Sequence, residues 1–268
     1  MDILKIICNE HLLYRKQIVR LAKSDLVKTY RGSALGWSWA FIKPMVTIFV
    51  YWFAFSYGIR TGGDVDGYPF FLWLIAGFVP WFYMSEMITQ GAGCMRSNRH
   101  LITKMKFPVS VIPPFTSLSK LTVHLILMAV TIVIFIAFGY MPDKYFIQLP
   151  LYMLMMFTFF TFWGLFAGML SAISKDFLNL VKSFTTAIFW MSGIIYNVNN
   201  IETQWIRTLL QFNPVTIIAS GYRHVLTDKT WFFEEPVELR NYLIILAVMV
   251  LLSAWAYKKL HKDMADVL

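Results

Sequence analysis

Three titratable side chains lie in stretches of this sequence that are otherwise apolar, and they are the first candidates for chemistry. Glu86 is the only carboxylate well inside an apolar run, and Lys120 and His124 lie one helical turn apart in the next run. An acid inside a membrane span is by default a functional hypothesis, and a proton-coupled carrier would require one. No chain of acids and histidines accompanies Glu86, which favours its pairing with a basic residue of the following segment. We expect Lys120 to extend its ammonium group to the membrane surface and His124 to be a packed polar residue.

The sequence carries no motif for binding a nucleotide, for holding a metal or for nucleophilic catalysis. It contains no G-x-x-x-x-G-K-[ST], no H-E-x-x-H, no C-x-x-C and no G-x-S-x-G. The two cysteines, Cys8 and Cys94, are far apart and indicate no disulfide framework. We therefore expect neither an enzyme nor a cofactor in this chain, and the energy for any uphill transport would come from another chain.

The elements that position these residues are long apolar runs. Of the 268 residues, 58% are hydrophobic and only 15% are charged, and several runs approach the ~20 residues that cross ~30 Å of hydrocarbon. The pattern predicts an all-α polytopic membrane protein. The six predicted spans are Ala40–Ile59, Phe70–Gly91, Leu118–Phe138, Leu149–Ile173, Leu178–Tyr196 and Tyr242–Tyr257.

The distribution of basic residues predicts the orientation of these spans. Lys and Arg accumulate in the N-terminal segment, in the loop after span two and in the tail, whereas the alternate loops are poorer in them. By the positive-inside rule both termini are cytoplasmic, and the net charge of +9 belongs to a membrane surface, not to nucleic acid. The predicted organisation is a cytoplasmic segment 1–39, a membrane domain 40–257 and a cytoplasmic tail 258–268.

Three further elements are amphipathic or broken. Residues 14–28 place basic and apolar side chains on opposite arcs of a helix, as an anchor to anionic lipid or a guide for an anionic lipid-linked substrate would. Residues 94–106 form a second such helix, which could lie on the membrane or be gripped by a cytoplasmic partner. Around residues 203–226, Arg207, Arg223 and the Asn213-Pro214 break argue against a seventh span and predict two short re-entrant helices on either side of Pro214.

The stretch Tyr30–Pro44 is predicted to join the first amphipathic helix to span one. Trp37 and Trp39 suit the membrane–water boundary, and Arg31 can hold a phosphate group. Gly32 and Gly36 let the backbone turn there. Pro44 is expected near the start of the first spanning helix, where its missing N–H costs little.

Aromatic side chains crowd span one and recur in span five. Lipid contact and packing between helices would explain these aromatic side chains. A groove along which sugars stack or a lipid tail slides would also explain them. The candidate groove residues are Tyr51, Trp52, Phe55, Trp190 and Tyr196.

These motifs resemble a known family. The signature Tyr30-Arg31-Gly32, Leu35-Gly36-x-x-Trp39 and Pro44 is similar to that of ABC-2 type exporter permeases. The run from Tyr51 to Pro113 resembles, within that family, the permeases that export wall teichoic acid. It includes Tyr51-Trp52, Gly58-Ile59-Arg60, Pro69-Phe70, Trp73-Leu74, Trp81-Phe82 and Lys104-Met105-x-Phe107-Pro108-x-Ser110-x-Ile112-Pro113. Asn213-Pro214-Val215, Tyr222-Arg223 and Ala265-Asp266-x-Leu268 continue the likeness.

The resemblance implies a homodimer bound to two cytoplasmic ATPase subunits, which would hold the ATP and Mg. Its implied cargo is an undecaprenyl-diphosphate-linked teichoic acid crossing the plasma membrane of a Gram-positive bacterium. Lipid-linked O-antigen or capsular polysaccharide is the alternative cargo, and a proton-coupled carrier using Glu86 is a distant one. Residues 94–106 become the coupling helix that contacts the ATPase, through Arg96, Arg99, His100, Leu101, Lys104 and Met105. Lys23, Lys28, Tyr30 and Arg31 would attract the lipid diphosphate at the cytoplasmic mouth.

Overall fold

The computed structural model describes residues 2–32, 34–59, 64–65, 67–105 and 107–268, and these are predominantly helical. Within those ranges the only extended pairing is an isolated bridge between Val65 and Tyr68. In chain order the helices are α1 (Asp2–Leu13), α2 (Arg15–Tyr30), α3 (Trp39–Phe53), α4 (Phe70–Glu86), α5 (Ala92–Ser97), α6 (Arg99–Thr103), α7 (Ile112–Ala137), α8 (Leu149–Ile173), α9 (Lys175–Trp190), α10 (Gln204–Gln211), α11 (Pro214–Leu226), α12 (Pro236–Leu260) and α13 (Met264–Val267). The predicted all-helical class is confirmed.

Five helical stretches of the described chain are long and apolar enough to cross a membrane. They are Gly36–Gly58, Phe70–Thr103, Val109–Ala137, Lys144–Ile173 and Pro236–Leu260. The fifth predicted span, Leu178–Tyr196, corresponds to α9, which has 16 residues and ends at Trp190. At 1.5 Å per residue it is about 24 Å long, shorter than the ~30 Å hydrocarbon core. The count of six spans therefore stays a prediction.

Helix α4 lies at the centre of the fold. Its side chains are apolar all round, as expected of a helix surrounded by others, and nearly all of them from Phe70 to Met84 are buried. It packs against α3, α7 and α11, and through a π-helical turn at Met87–Gly91 it continues into α5, which packs against α8. The side chains around α4 form the larger of two hydrophobic clusters.

Helices α3 and α12 lie at the periphery and leave much of their apolar surface exposed. Met45, Phe49 and Phe53 on α3 and Leu251 and Trp255 on α12 are more than one third accessible. Apolar side chains in such numbers on the outside of a helix suit lipid or another protein chain.

The turn between α2 and α3 has the predicted glycines, but Pro44 is not where it was expected. Gly32 and Gly36 have φ angles of +86° and +47°, a left-handed conformation that favours glycine. Pro44 lies inside α3 instead of in its first turn, because the helix already begins at Trp39. Proline has no N–H, so the carbonyl of Ala40 lacks its usual helical donor.

One end of the molecule gathers the two chain termini. Helix α1 carries Glu10, whose carboxylate accepts hydrogen bonds from Tyr257 Oη on α12, at 3.0 and 3.1 Å, and from Ser110 Oγ in the turn just before α7. Helix α13 packs against α6 and α8, and Met264 is buried there. The second hydrophobic cluster lies at this end. Both termini and the basic loop after α4 thus share one end, as the charge distribution predicts.

Helix α2 packs against α7, so the predicted amphipathic helix is attached to the bundle. Ala22 is buried and Ile18 and Leu21 are half-buried, whereas Lys16 and Lys23 are exposed. The arcs derived from the sequence therefore match the packed and open sides of the helix. Helix α1, which no pattern in the sequence indicated, precedes it.

Candidate functional site

A cavity of about 620 Å³ lies among the end of α2, the first half of α3, α4 and α7. It borders the Tyr30–Pro44 stretch. Its lining residues are Thr29, Tyr30, Trp39, Ala40, Lys43, Pro44, Thr47, Phe82, Tyr83, Ser85, Glu86, Gln90, Lys120, Val123, His124 and Leu127. The volume is within the ~300–1,000 Å³ typical of small-molecule sites.

An ion pair joins two walls of this cavity. Nζ of Lys120 on α7 lies 3.4 Å from Oε2 of Glu86 on α4. The Lys120 side chain is only 4% exposed, whereas that of Glu86 is 44% exposed. Glu86 is thus paired with a cation, as expected, but the cation comes from α7 and not from the segment after α4. Lys120 does not extend to the surface, because the α4–α7 packing holds it beside the carboxylate.

The packed polar role expected for His124 is confirmed. Its Nε2 lies 2.7 Å from the hydroxyl of Tyr222 on α11. About two turns closer to the start of α7, Ser117 Oγ lies 2.5 Å from the hydroxyl of Tyr83 on α4. Buried polar pairs of this kind fix the register of α4, α7 and α11 around the inner wall of the cavity.

The residues predicted to attract a lipid diphosphate are only partly brought together. Tyr30 lines the cavity, and its ring stacks on Trp37 with centroids 4.8 Å apart. Lys23, Lys28 and Arg31 are exposed and do not line it. The cavity instead presents Lys43, which sequence reasoning missed. The sequence does distinguish this residue, since Lys43 is the only basic residue between Trp39 and Ile59.

The segment predicted to couple to an ATPase is two short helices, not one. It runs as α5, a break at Asn98 and α6, while Lys106 lies outside the described residues. Its apolar side chains Met95, Leu101 and Ile102 are buried, and Met105 is exposed. The basic side chains Arg99, His100 and Lys104 are exposed.

Arg96 differs from these basic neighbours because it faces the protein. Its guanidinium donates to the carbonyl of Ser171 and, at 2.8 Å, to that of Ala172, two residues at the end of α8. The last carbonyls of a helix have no partner within the helix, so these bonds cap α8. Arg96 is therefore a structural residue at this surface, whatever binds to Arg99 and Lys104.

The structure brings some of the candidate groove aromatics together. The Tyr51 ring centroid lies 6.5 Å from that of Phe55 and 6.4 Å from that of Trp190, and Tyr196 Oη donates to the Trp190 carbonyl at 3.0 Å. Trp52 points elsewhere, since its ring packs against Phe71 with centroids 5.9 Å apart. Helices α3 and α9 therefore meet through Tyr51, as expected of a groove and also of ordinary packing.

The two predicted short helices, α10 and α11, are present, separated at Asn213-Pro214. Asn213 caps α11 by accepting a hydrogen bond from the Val215 N–H at 3.0 Å. Pro214 occupies the first turn of α11, where its missing N–H costs little. Arg207 on α10 is half-buried.

Arg223 on α11 is one of the most enclosed charges among the described residues. It is 4% exposed, its guanidinium donates to the carbonyls of Gly193 and Ile194, and it lies 3.5 Å above the Trp73 ring. A methyl group at Gly77 would lie 2.6 Å from Nη2 of Arg223. Arg223 thus ties α11 to α4 and to the irregular chain that follows α9.

A second polar cluster joins α11 to α12 at the opposite end from the termini. Nε2 of His224 lies 3.1 Å from Oε2 of Glu238, and Nδ1 lies 3.4 Å from Oδ2 of Asp228. Burial alone would lower the pKa of His224, but the hydrogen bonds and charges of these two carboxylates raise it to about 9.

This cluster predicts that stability falls as the solution becomes alkaline. A histidine whose folded pKa is raised contributes most below its unfolded pKa of about 6.5, and the contribution disappears as pH rises through the folded value. The effect is worth about 3 kcal/mol, or roughly 6–12 °C of melting temperature for a chain near this size. Thermal unfolding of the detergent-solubilised protein between pH 6 and 10 measures it. In His224→Gln the decline across this range should be absent, and an unchanged decline would contradict the assignment.

The described residues contain no group of three His, Cys, Asp or Glu side chains placed to hold a metal ion. What they do contain is a bundle of apolar helices with a charged cavity and capped breaks near its ends. These features define a multi-pass helical membrane protein.

Comparison with known proteins identifies the class. Residues 16–227 match the family model described as ABC-2 type transporter, so the chain belongs to the ABC-2 type transporter family. It is 25% identical over 251 residues to the O-antigen export system permease protein RfbA of Myxococcus xanthus, covering 93% of each chain. It is 25% identical to a protein of the same name from Klebsiella pneumoniae over 94% of each chain. The polysialic acid transport protein KpsM of Escherichia coli is 21% identical over 85% of this chain and 87% of its own.

Proposed function

We propose that this chain is the membrane subunit of an ATP-driven exporter that moves a lipid-linked polysaccharide from the cytoplasmic to the outer face of a bacterial plasma membrane. The observation that carries the proposal is the family match across residues 16–227, on a bundle with several apolar helices and no nucleotide motif of its own. The relatives named for O-antigen export and polysialic acid transport support the cargo class.

The specific cargo has two candidates. Wall teichoic acid on undecaprenyl diphosphate, in a Gram-positive bacterium, is supported by the residue pattern from Tyr51 to Pro113. Lipid-linked O-antigen is supported by the two RfbA relatives, which are named for O-antigen export and align with nearly the whole chain. Both are long polymers on a polyprenyl diphosphate, so the same path could carry either one.

The proposed working unit is a dimer of six-span subunits with cytoplasmic termini and two ATPase subunits that bind ATP and Mg. The exposed apolar faces of α3 and α12 suit a second copy or lipid. Exposed basic residues of α6 and the chain after it suit an ATPase surface, since Arg99, His100 and Lys104 have no role in the core. Helices α10 and α11 would be re-entrant near the outer mouth, with Tyr51, Phe55 and Trp190 along the path.

Depletion of the protein in its native host tests this proposal. Lipid-linked polymer should accumulate on the cytoplasmic side while its synthesis continues, and re-expression should clear it. Composition of the accumulated polymer decides the cargo: a polyol-phosphate chain identifies teichoic acid, and a phosphate-poor glycan identifies O-antigen. If polymer still reached the surface after depletion, the proposed function would be wrong.

A proton-coupled carrier remains the rival from another class. It would require Glu86 to be essential and transport to persist when the ATPase is removed. The salt bridge to Lys120 gives Glu86 a counter-ion role that needs no proton transfer, which supports the ATP-driven proposal.

A further inference from the structure

The cavity between α2, α3, α4 and α7 has an excess of positive charge with an unusual internal arrangement. Its charged lining residues are Lys43, Lys120 and Glu86, two cations and one anion. Lys43 and Gln90 are exposed at the rim, whereas Lys120 is buried at the wall. An anion in this cavity would therefore have one exposed and one buried cation among the lining side chains.

The two partners of the ion pair differ in what they lose if they separate. Glu86 has 44% of its side-chain surface exposed, so its carboxylate can leave Lys120 and stay hydrated. Lys120, at 4% exposed, has little contact with water while Glu86 lies beside it, and a buried ammonium without a counter-ion is strongly destabilising. Lys120 consequently requires an anion beside it, but that anion does not have to be Glu86.

A phosphate-containing group meets this requirement better than a carboxylate does. It brings more negative charge and more acceptor oxygens, and charge-assisted hydrogen bonds to it are short and strong. The rim offers Lys43 as a second cation, and Tyr30, which also lines the cavity, carries a hydroxyl group that adds hydrogen-bonding capacity. A cavity of about 620 Å³ accommodates a head group and the first sugar, not a polymer.

We propose that this cavity binds the diphosphate group of a polyprenyl-linked substrate between Lys120 and Lys43, with Glu86 as the resident counter-ion that the ligand displaces. The inference rests on the proposed function, since it supplies the head-group site for that cargo. It moves head-group recognition inward from Lys23, Lys28 and Arg31 to the interior of the bundle. It also explains a buried lysine whose only ion-pair partner among the described residues is half-exposed.

Calorimetric titration of the purified permease in nanodiscs tests the site, with farnesyl diphosphate, inorganic diphosphate and farnesol as probes. Farnesyl diphosphate should bind and farnesol should not. Glu86→Gln removes the competing anion and should tighten binding about fivefold, that is, by about 1 kcal/mol. Lys120→Met/Glu86→Gln removes both charges, so no buried charge is left unpaired, and it should weaken binding at least about tenfold. Lys262→Gln in the exposed tail is the matched control and should bind as wild type.

The probes separate the two sources of a diphosphate. If inorganic diphosphate binds with the same dependence on Lys120, the cavity reads the anion alone; if only the prenylated probe binds, it reads a lipid head group. Either pattern supports the site. Equal affinity of the wild type and the double variant for farnesyl diphosphate would overturn it, and so would absence of binding to the wild type.

Complementation of the depleted strain distinguishes failure of this inference from failure of the proposed function. If the wild-type copy restores export and the double variant exports equally well, the head-group site is wrong and the proposed exporter function stands. If no lipid-linked polymer is exported even with the wild-type copy, the proposed exporter function itself is wrong. The expected result is restored export with the wild type and with Lys262→Gln, and intracellular polymer with the double variant.

Discussion

Arg223→Met should lower the stability of this protein by about 3–6 kcal/mol, because two buried carbonyls lose their donors at about 1–3 kcal/mol each and the stack on Trp73 is lost as well. The guanidinium donates to the carbonyls of Gly193 and Ile194. Both lie in the irregular chain after α9, where no regular helix or sheet supplies donors to them. Methionine fills much of the space but donates nothing. The melting temperature in detergent, followed by intrinsic tryptophan fluorescence, measures the loss.

Two further variants make this result specific. Arg223→Lys keeps the charge but lacks the planar fork that reaches both carbonyls while lying on an indole, so its stability should fall between wild type and Arg223→Met. Arg207→Met, on the adjacent and half-buried part of α10, should lie within about 0.5 kcal/mol of wild type. A melting temperature for Arg223→Met equal to that of the Arg207 variant would show that the clamp contributes nothing.

The double reversal Arg99→Glu/Lys104→Glu should abolish most ATP-dependent export while leaving the permease folded. Both side chains are exposed on the short element after α5. If the proposed ATPase presents an acidic surface to them, reversing their charges turns attraction into repulsion. The expected loss is at least about tenfold in stimulated ATPase activity, equivalent to about 1.4 kcal/mol of coupling. Copurified ATPase and its activity in nanodiscs are the measurements.

Arg96 must be left out of that experiment. Its bonds to the Ser171 and Ala172 carbonyls mean that Arg96→Glu would uncap α8 and lower stability, which would mimic a coupling defect. Lys258→Glu/Lys262→Glu is the matched control, because it makes the same change in charge at exposed positions near the same end. Normal export by the Arg99/Lys104 variant, or an equal defect in the control, would remove the coupling role.

Much of the bundle follows from apolar runs and turn residues. The run that begins at Leu149 and ends at Ile173 has the bounds of α8, and Phe70 begins α4 as predicted. Asn213-Pro214 separates α10 from α11 because the asparagine caps and the proline starts a helix. Such signals are local, so one sequence is enough to show them.

What the sequence did not provide depends on contacts between distant residues. The run through Met191 to Tyr196 is apolar enough to continue a span, but it is irregular, and Arg223, thirty residues after Gly193, donates to the carbonyls of Gly193 and Ile194. From the sequence alone, Lys120 is expected to extend to the membrane surface. Only the packing of α4 against α7 shows that Glu86 lies beside it. The sequence therefore singles out individual residues of the cavity, but it does not predict that they line the same cavity.

The attachment of α1 has a consequence for how the protein is made. Tyr257, which donates to the Glu10 carboxylate, is synthesised 247 residues after it. Ser110 can engage Glu10 as soon as the chain before α7 is made, but the bond from Tyr257 must wait for α12. Until α12 is made, Ser110 is the one of these two partners that Glu10 can have. Closure of this end of the bundle therefore follows the synthesis of α12.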